Sequence, residues 1–172
     1  MRLEMSDIIQ RIDREQQSLN ITLYGEASDA DILHFEQRTG ISLPDDFKTL
    51  YRYSNGFEVG DDLFRILPLE NVQDELMIGE REFYFADYLV FCDVWRVVIE
   101  LKDPNKYSIL YDIGIEKIKE QINANQSQLR LLYKSVALTQ SLAQFLQVLF
   151  DAGVFDGLYD WGEKRMHDML KN

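Results

Sequence analysis

The chain has few of the residues from which small catalytic and metal sites are built. Its 172 residues include one cysteine, two histidines and three prolines. Cys92 has no partner for an intrachain disulfide, and MRLEMSDIIQ at the start shows no apolar signal core, so a reducing compartment, the cytoplasm, is expected. Cys92 ends an apolar run and reads as a small core residue rather than a nucleophile. His34 and His167 stand in no metal-ligand spacing. There is no P-loop, no GxGxxG and no GxSxG. Long hydrophobic runs are missing too, since none reaches the ~18 residues a membrane span needs. Positive charge is scarce: 18 Lys and Arg stand against 30 Asp and Glu, for a net charge of -12. Phosphate binding needs clustered cations, so nucleic acid is a poor partner and a basic protein a better one. These absences predict a protein that is not an enzyme and uses no cofactor, metal, nucleic acid or membrane.

What is present is a patterned globular chain, 46% hydrophobic. Residues 6–18 read as a polar amphipathic helix with Ile8, Ile9 and Ile12 on one side. Residues 20–26 read as a connection. A second helix over 29–39 has Ser28 as N-cap and Gly40 as its stop. A third over 44–54 opens on Pro44 at the first helical position, with Asp45 and Asp46 at the favourable end of the dipole. Phe47, Leu50, Tyr51 and Ser54 form its buried stripe, and Asn55-Gly56 ends it. Short strands follow in GFEV, DLFRIL, DYLVFC and WRVVIEL, with Trp95, Val97, Ile99 and Leu101 on one face. Strands at 94–102 and 107–112 pair as a hairpin across DPNK, and LRLLYKSV alternates again. Residues 115–128 read as a surface helix plus loop. A strong helix then runs from a Thr139 cap to Gly153, and residues 156–172 form a last amphipathic segment. Helices flanking a run of strands give α+β, a single domain over 1–172 with a mainly antiparallel, conceivably mixed, sheet.

The acids are unevenly spread. Residues 58–87 hold nine acids against Arg65 and Arg81. This stretch is either a solvated face or a docking surface for a basic partner. The second alternative nominates Asp61, Asp62, Glu75, Glu80 and Glu82, with aromatics among them as anchors. The aromatic C-terminal segment around Tyr159 and Trp161 is the other candidate surface.

The stretch ILHFEQRTGISLPDDFKTLYRYSNGF resembles the signature of the SUKH superfamily, the Smi/Knr-like immunity and regulatory proteins. Ile32, Glu36, Leu43, Pro44, Phe47, Asn55 and Gly56 stand at that signature's spacings. Residues 65–72 look like the family's next strand and turn, and Ser141 to Phe150 like its closing helix. The likeness covers about residues 28–150 and leaves 151–172 as a C-terminal helical extension. It implies an α+β fold and no shared catalytic set. It also implies a role: bacterial members look mostly like immunity proteins that bind and block polymorphic or contact-delivered toxins, often nucleases. Eukaryotic members are regulatory or scaffolding modules. Glu36 either caps a backbone N–H near the Leu-Pro turn or faces a partner.

Overall fold

The computed structural model describes residues 3–60, 63–72, 81–89, 93–100, 102–112 and 136–170. Seven strands form one sheet: β1 Ile21–Leu23, β2 Phe57–Val59, β3 Phe64–Ile66, β4 Glu82–Tyr88, β5 Asp93–Glu100, β6 Asp103–Asp112 and β7 Val136–Thr139. They lie in chain order and every neighbouring pair is antiparallel. Five α-helices accompany them among the described residues: α1 Met5–Glu15, α2 Asp29–Thr39, α3 Asp45–Tyr53, α4 Leu142–Ala152 and α5 Asp160–Leu170. The expected α+β class with an antiparallel sheet and flanking helices is what the chain adopts. No helix among the described residues is long and apolar enough to cross a membrane.

Period-two alternation selects one sheet face for burial. Phe57, Phe64, Phe83, Phe85, Trp95 and Val97 are all fully buried on it. The helices meet this face ring to ring. Phe47 of α3 packs edge-on against Phe83 and Phe85, Phe35 of α2 against Phe83, and Phe145 of α4 against Phe85 and Trp95. Each such pair adds ~0.5–1.5 kcal/mol beyond area burial, so the rings fix helix position as well as supply hydrophobic area. One continuous core runs from Met5 to Tyr159.

Local signals hold at most boundaries. Ser28 caps α2 by accepting from the Asp31 N–H at 3.2 Å, and Gly40 closes it at φ 70°. The stripe Phe47, Leu50, Tyr51 and Ser54 is buried. Several expectations need correction. Pro44 is the N-cap of α3 rather than its first residue. Gly56 takes positive φ but Asn55 does not. Residues 21–23 are a strand rather than a connection, since pairing with β2 overrides weak local preference. The strand expected at DYLVFC is β4, displaced toward the N-terminus: Phe83 and Phe85 are the buried rings, and Leu89 sits exposed in a turn. β6 begins at Asp103, so all of DPNK lies in a strand. The cap of α4 is Ser141, whose Oγ accepts from the Gln144 N–H at 3.2 Å. Thr139 instead ends β7, its hydroxyl donating to Gln144 Oε1 at 2.6 Å. Gly153 ends α4 at φ 73°, and a π-helical turn over Val154–Tyr159 leads into α5. Residues 115–128, Leu101, Cys92 and most of LRLLYKSV lie outside the described residues.

Candidate functional site

The signature residues converge on one corner, where they bond to the chain itself. Glu36 on α2 accepts from the Leu43 N–H at 2.8 Å and pairs with Lys48 Nζ at 2.9 Å, so it ties the Leu-Pro turn and α3 to α2. The expected backbone cap is formed. Asn55 accepts from the Leu69 N–H at 3.0 Å and donates to Glu70 at 2.8 Å, holding the 3-10 turn Leu69–Asn71. Arg38 reaches the carbonyls of the same turn, Leu69 at 3.3 Å and Val72 at 2.7 Å. Ile32, Leu43 and Phe47 are core. Such a constellation orients a scaffold.

A cleft of about 460 Å³ opens where α1, α3 and α4 begin, lined by Glu4, Asp45, Asp46, Asn105, Tyr107 and Ser141 among others. Three helix N-termini meeting in one place would suit an anion. Here one N–H at each of them is taken by the protein's own acceptor. Asp7 accepts from Glu4 at 3.0 Å, Asn105 Oδ1 from the Asp45 N–H at 2.8 Å, and the Tyr107 hydroxyl from the Leu142 N–H at 2.7 Å. Tyr107 passes its own proton's hydrogen bond on to Asp46. Burial pushes the Asp46 carboxyl above the usual range, while hydrogen bonds from Tyr107 and the Phe47 N–H pull the other way.

This relay has a testable pH signature. Tyr107→Phe leaves the Leu142 N–H and Asp46 short of a partner and is expected to cost ~2–3 kcal/mol at pH 7. It also removes a donor to the Asp46 anion, which raises that pKa further. A carboxyl whose folded pKa is raised contributes stability that is fully present below its unfolded value. That contribution is lost as pH rises through the folded value. The variant should therefore lose more stability at pH 7 than at pH 5. Urea midpoints of both proteins at both pH values check this, and a loss at pH 5 equal to or larger than that at pH 7 refutes it.

Of the nine acids between 58 and 87, Asp61, Asp62, Asp74, Glu75 and Glu80 lie outside the described residues. The other four are engaged within the fold. Glu58 accepts from the Tyr24 hydroxyl at 2.5 Å and Glu70 from Asn55. Glu82 pairs with Arg96, which also holds Asp112 at 3.0 Å. Asp87 is fully buried and accepts twice from Arg65, at 2.9 and 2.5 Å, and these bonds raise the basicity of that guanidinium. Tyr159 is also buried, its hydroxyl donating to Asp93, and Trp161 packs half-buried against the core. His34 and His167 are exposed on α2 and α5. Among the described residues no group of three His, Cys, Asp or Glu is placed to hold a metal.

Sequence patterning passed over three side chains that the structure exposes together: Leu63, Leu89 and Phe155. Apolar residues are assigned to the core by default, and only the turns at 63 and 89 bring these outward. The model of the SMI1 / KNR4 family (SUKH-1) matches residues 26–147 of the chain. No match is found among the curated proteins.

Proposed function

Because the chain belongs to the SMI1 / KNR4 family (SUKH-1), we propose that it is a bacterial immunity protein that binds and blocks a cognate toxin. The match over residues 26–147 carries this reading. The net charge of -12 supports it, because a toxin that works on phosphates presents a basic groove. The mechanism is occlusion. One copy of the chain covers the groove with acidic side chains, apolar residues anchor the contact, and substrate is shut out. No bond is made or broken by the immunity protein, and no cofactor takes part. It acts in the cytoplasm, where an incoming toxin meets its substrate. The unit that does so is a single SUKH-like domain spanning 1–172.

The test looks for a toxin gene beside this one and uses the toxin domain it encodes. Cells expressing that domain should survive only when this chain is co-expressed, and the two should form a complex of fixed stoichiometry. Association should slow as salt rises, because the Debye length shrinks from ~10 Å at 0.1 M to ~3 Å at 1 M. Asp61, Asp62, Glu75 and Glu80 replaced together by their amides should slow association at low salt by about ten-fold and move the off-rate less. Glu82 is kept out of that variant, since Arg96 already holds it. No protection and no complex would overturn the reading. Binding to an endogenous partner instead would make the chain a regulatory module of the Smi/Knr type.

A further inference from the structure

Four large hydrophobic side chains are exposed among the described residues, and three of them gather at one end of the sheet. Leu63 precedes β3 and Leu89 follows β4, and the Leu89 N–H donates to the Leu63 carbonyl at 3.3 Å. Beside Leu89, the Tyr88 ring packs edge-on against Phe155 at 5.5 Å, and Phe155 stacks on Tyr159 at 5.6 Å. Leu63 is 58% exposed and Phe155 56%. Both leucines also adopt left-handed backbone, φ 51° and 49°, a conformation that favours Gly or Asn. Neither burial nor backbone preference selects leucine at these two positions.

The surroundings say what kind of molecule would fit there. Glu58, Gly60, Leu63, Arg65 and Leu89 line a depression of about 210 Å³, enough for one large apolar side chain. The Arg65 charge is met by Asp87. Around Phe155, Asp156 and Asp160 are exposed, and residues 151–163 hold four acids and no Lys or Arg. The nearby Asp151 is matched by Arg11 at 2.6 Å.

We propose that Leu63, Leu89, Tyr88 and Phe155 form the docking surface for a basic protein partner, which inserts an apolar side chain flanked by Lys or Arg. In the immunity reading, on which the identity of that partner rests, this is the anchor of the toxin contact. It shifts the centre of the interface away from the buried Tyr159 and onto Phe155, with Asp156 and Asp160 as its charged rim.

The full-length chain, labelled with ¹⁵N, is titrated with three synthetic peptides of one length. The first alternates Lys with Leu and Trp, the second carries Glu in place of Lys, and the third carries Ser in place of Leu and Trp. Only the first should bind saturably and shift the amides of Leu63, Leu89 and Phe155. The Leu63→Asn, Leu89→Asn double variant should bind that peptide at least ten-fold more weakly while melting at the same or a higher temperature, because Asn accepts left-handed φ. Leu33→Asn, which trims the fourth exposed side chain on α2, should bind as the parent does. Shifts spread over other acidic surface, equal binding of the Ser peptide, or a double variant that binds like the parent would overturn the proposal. So would concentration-dependent dimerisation in sedimentation that the double variant abolishes, since a second copy would then be the occupant. If the peptide binds as expected but no toxin is neutralised, the immunity reading falls and the docking surface stands. If the double variant neutralises the toxin as well as the parent, the reverse holds.

Discussion

Gly56→Ala is expected to destabilise the protein by ~3 kcal/mol or more, near the upper end of what one methyl group does. An added Cβ would lie 2.4 Å from the Ile66 carbonyl oxygen and 3.1 Å from both Leu67 C and Pro68 N. These are backbone atoms, so no rotamer change clears the way. The φ of 95° adds strain that an L-residue cannot relax without moving the chain. Movement is opposed on both sides, since the Tyr24 N–H donates to the Gly56 carbonyl at 3.2 Å and the Asn55 N–H to Gly25 at 2.7 Å. Two other glycines grade the effect. Gly40→Ala keeps a positive φ of 70° in open space and should cost ~1 kcal/mol. Gly25→Ala has neither strain nor a neighbour within 4 Å and should fall within ~0.5 kcal/mol of the parent. Urea midpoints rank the three. A Gly56→Ala loss no greater than that of Gly40→Ala would mean that the close approach to β3 is absent in solution.

The same glycine shows how far the sequence could be read. Asn55-Gly56 marks a helix end, and that part needs only local preference. That Gly56 also lies against the chain leaving β3 is a tertiary fact, written nowhere in residues 40–57. The hairpin of β5 and β6 was legible because Trp95, Val97 and Ile99 alternate with Arg96 and Glu100 over a long stretch. β1 was not, because three residues carry no period and their pairing with β2 is set by the sheet. Glu36 was legible as a cap because a carboxylate near Leu-Pro has a backbone N–H within reach. In the acidic segment, composition counts charges but not their partners. Glu82 and Asp87 are met by Arg96 and Arg65, whereas Glu58 and Glu70 are exposed and accept only from the neutral Tyr24 and Asn55. For the candidate surface the obstacle was exposure, which Leu63, Leu89 and Phe155 acquire only from their turns.

Asp93→Ala is the second substitution expected to be severe, and it tests what fastens the C-terminal segment to the sheet. Asp93 opens β5 and is 8% exposed. Tyr111 of β6 donates to one carboxylate oxygen at 3.0 Å, and Tyr159, just before α5, donates to the other. Tyr111 stacks on Trp95 at 5.6 Å and meets Tyr159 edge-on at 5.6 Å. Burial first, and then the neighbouring Asp93 carboxylate, push both phenols above their ordinary pKa. Removing the carboxylate takes away the acceptor that both buried hydroxyls share, and the loss should come to ~3 kcal/mol or more. Tyr159→Phe keeps the ring and one of the two donors, so it should cost about half as much. Residues 148–172 lie beyond the family match, and this network links them to strands within it. Asp93→Ala should therefore open the segment after Gly153 to protease under conditions where the parent resists, and before the sheet unfolds in urea. If the variant instead loses stability with no earlier cleavage of residues 154–170, the ring packing of Tyr159 and Leu158 holds the segment and the shared carboxylate does not.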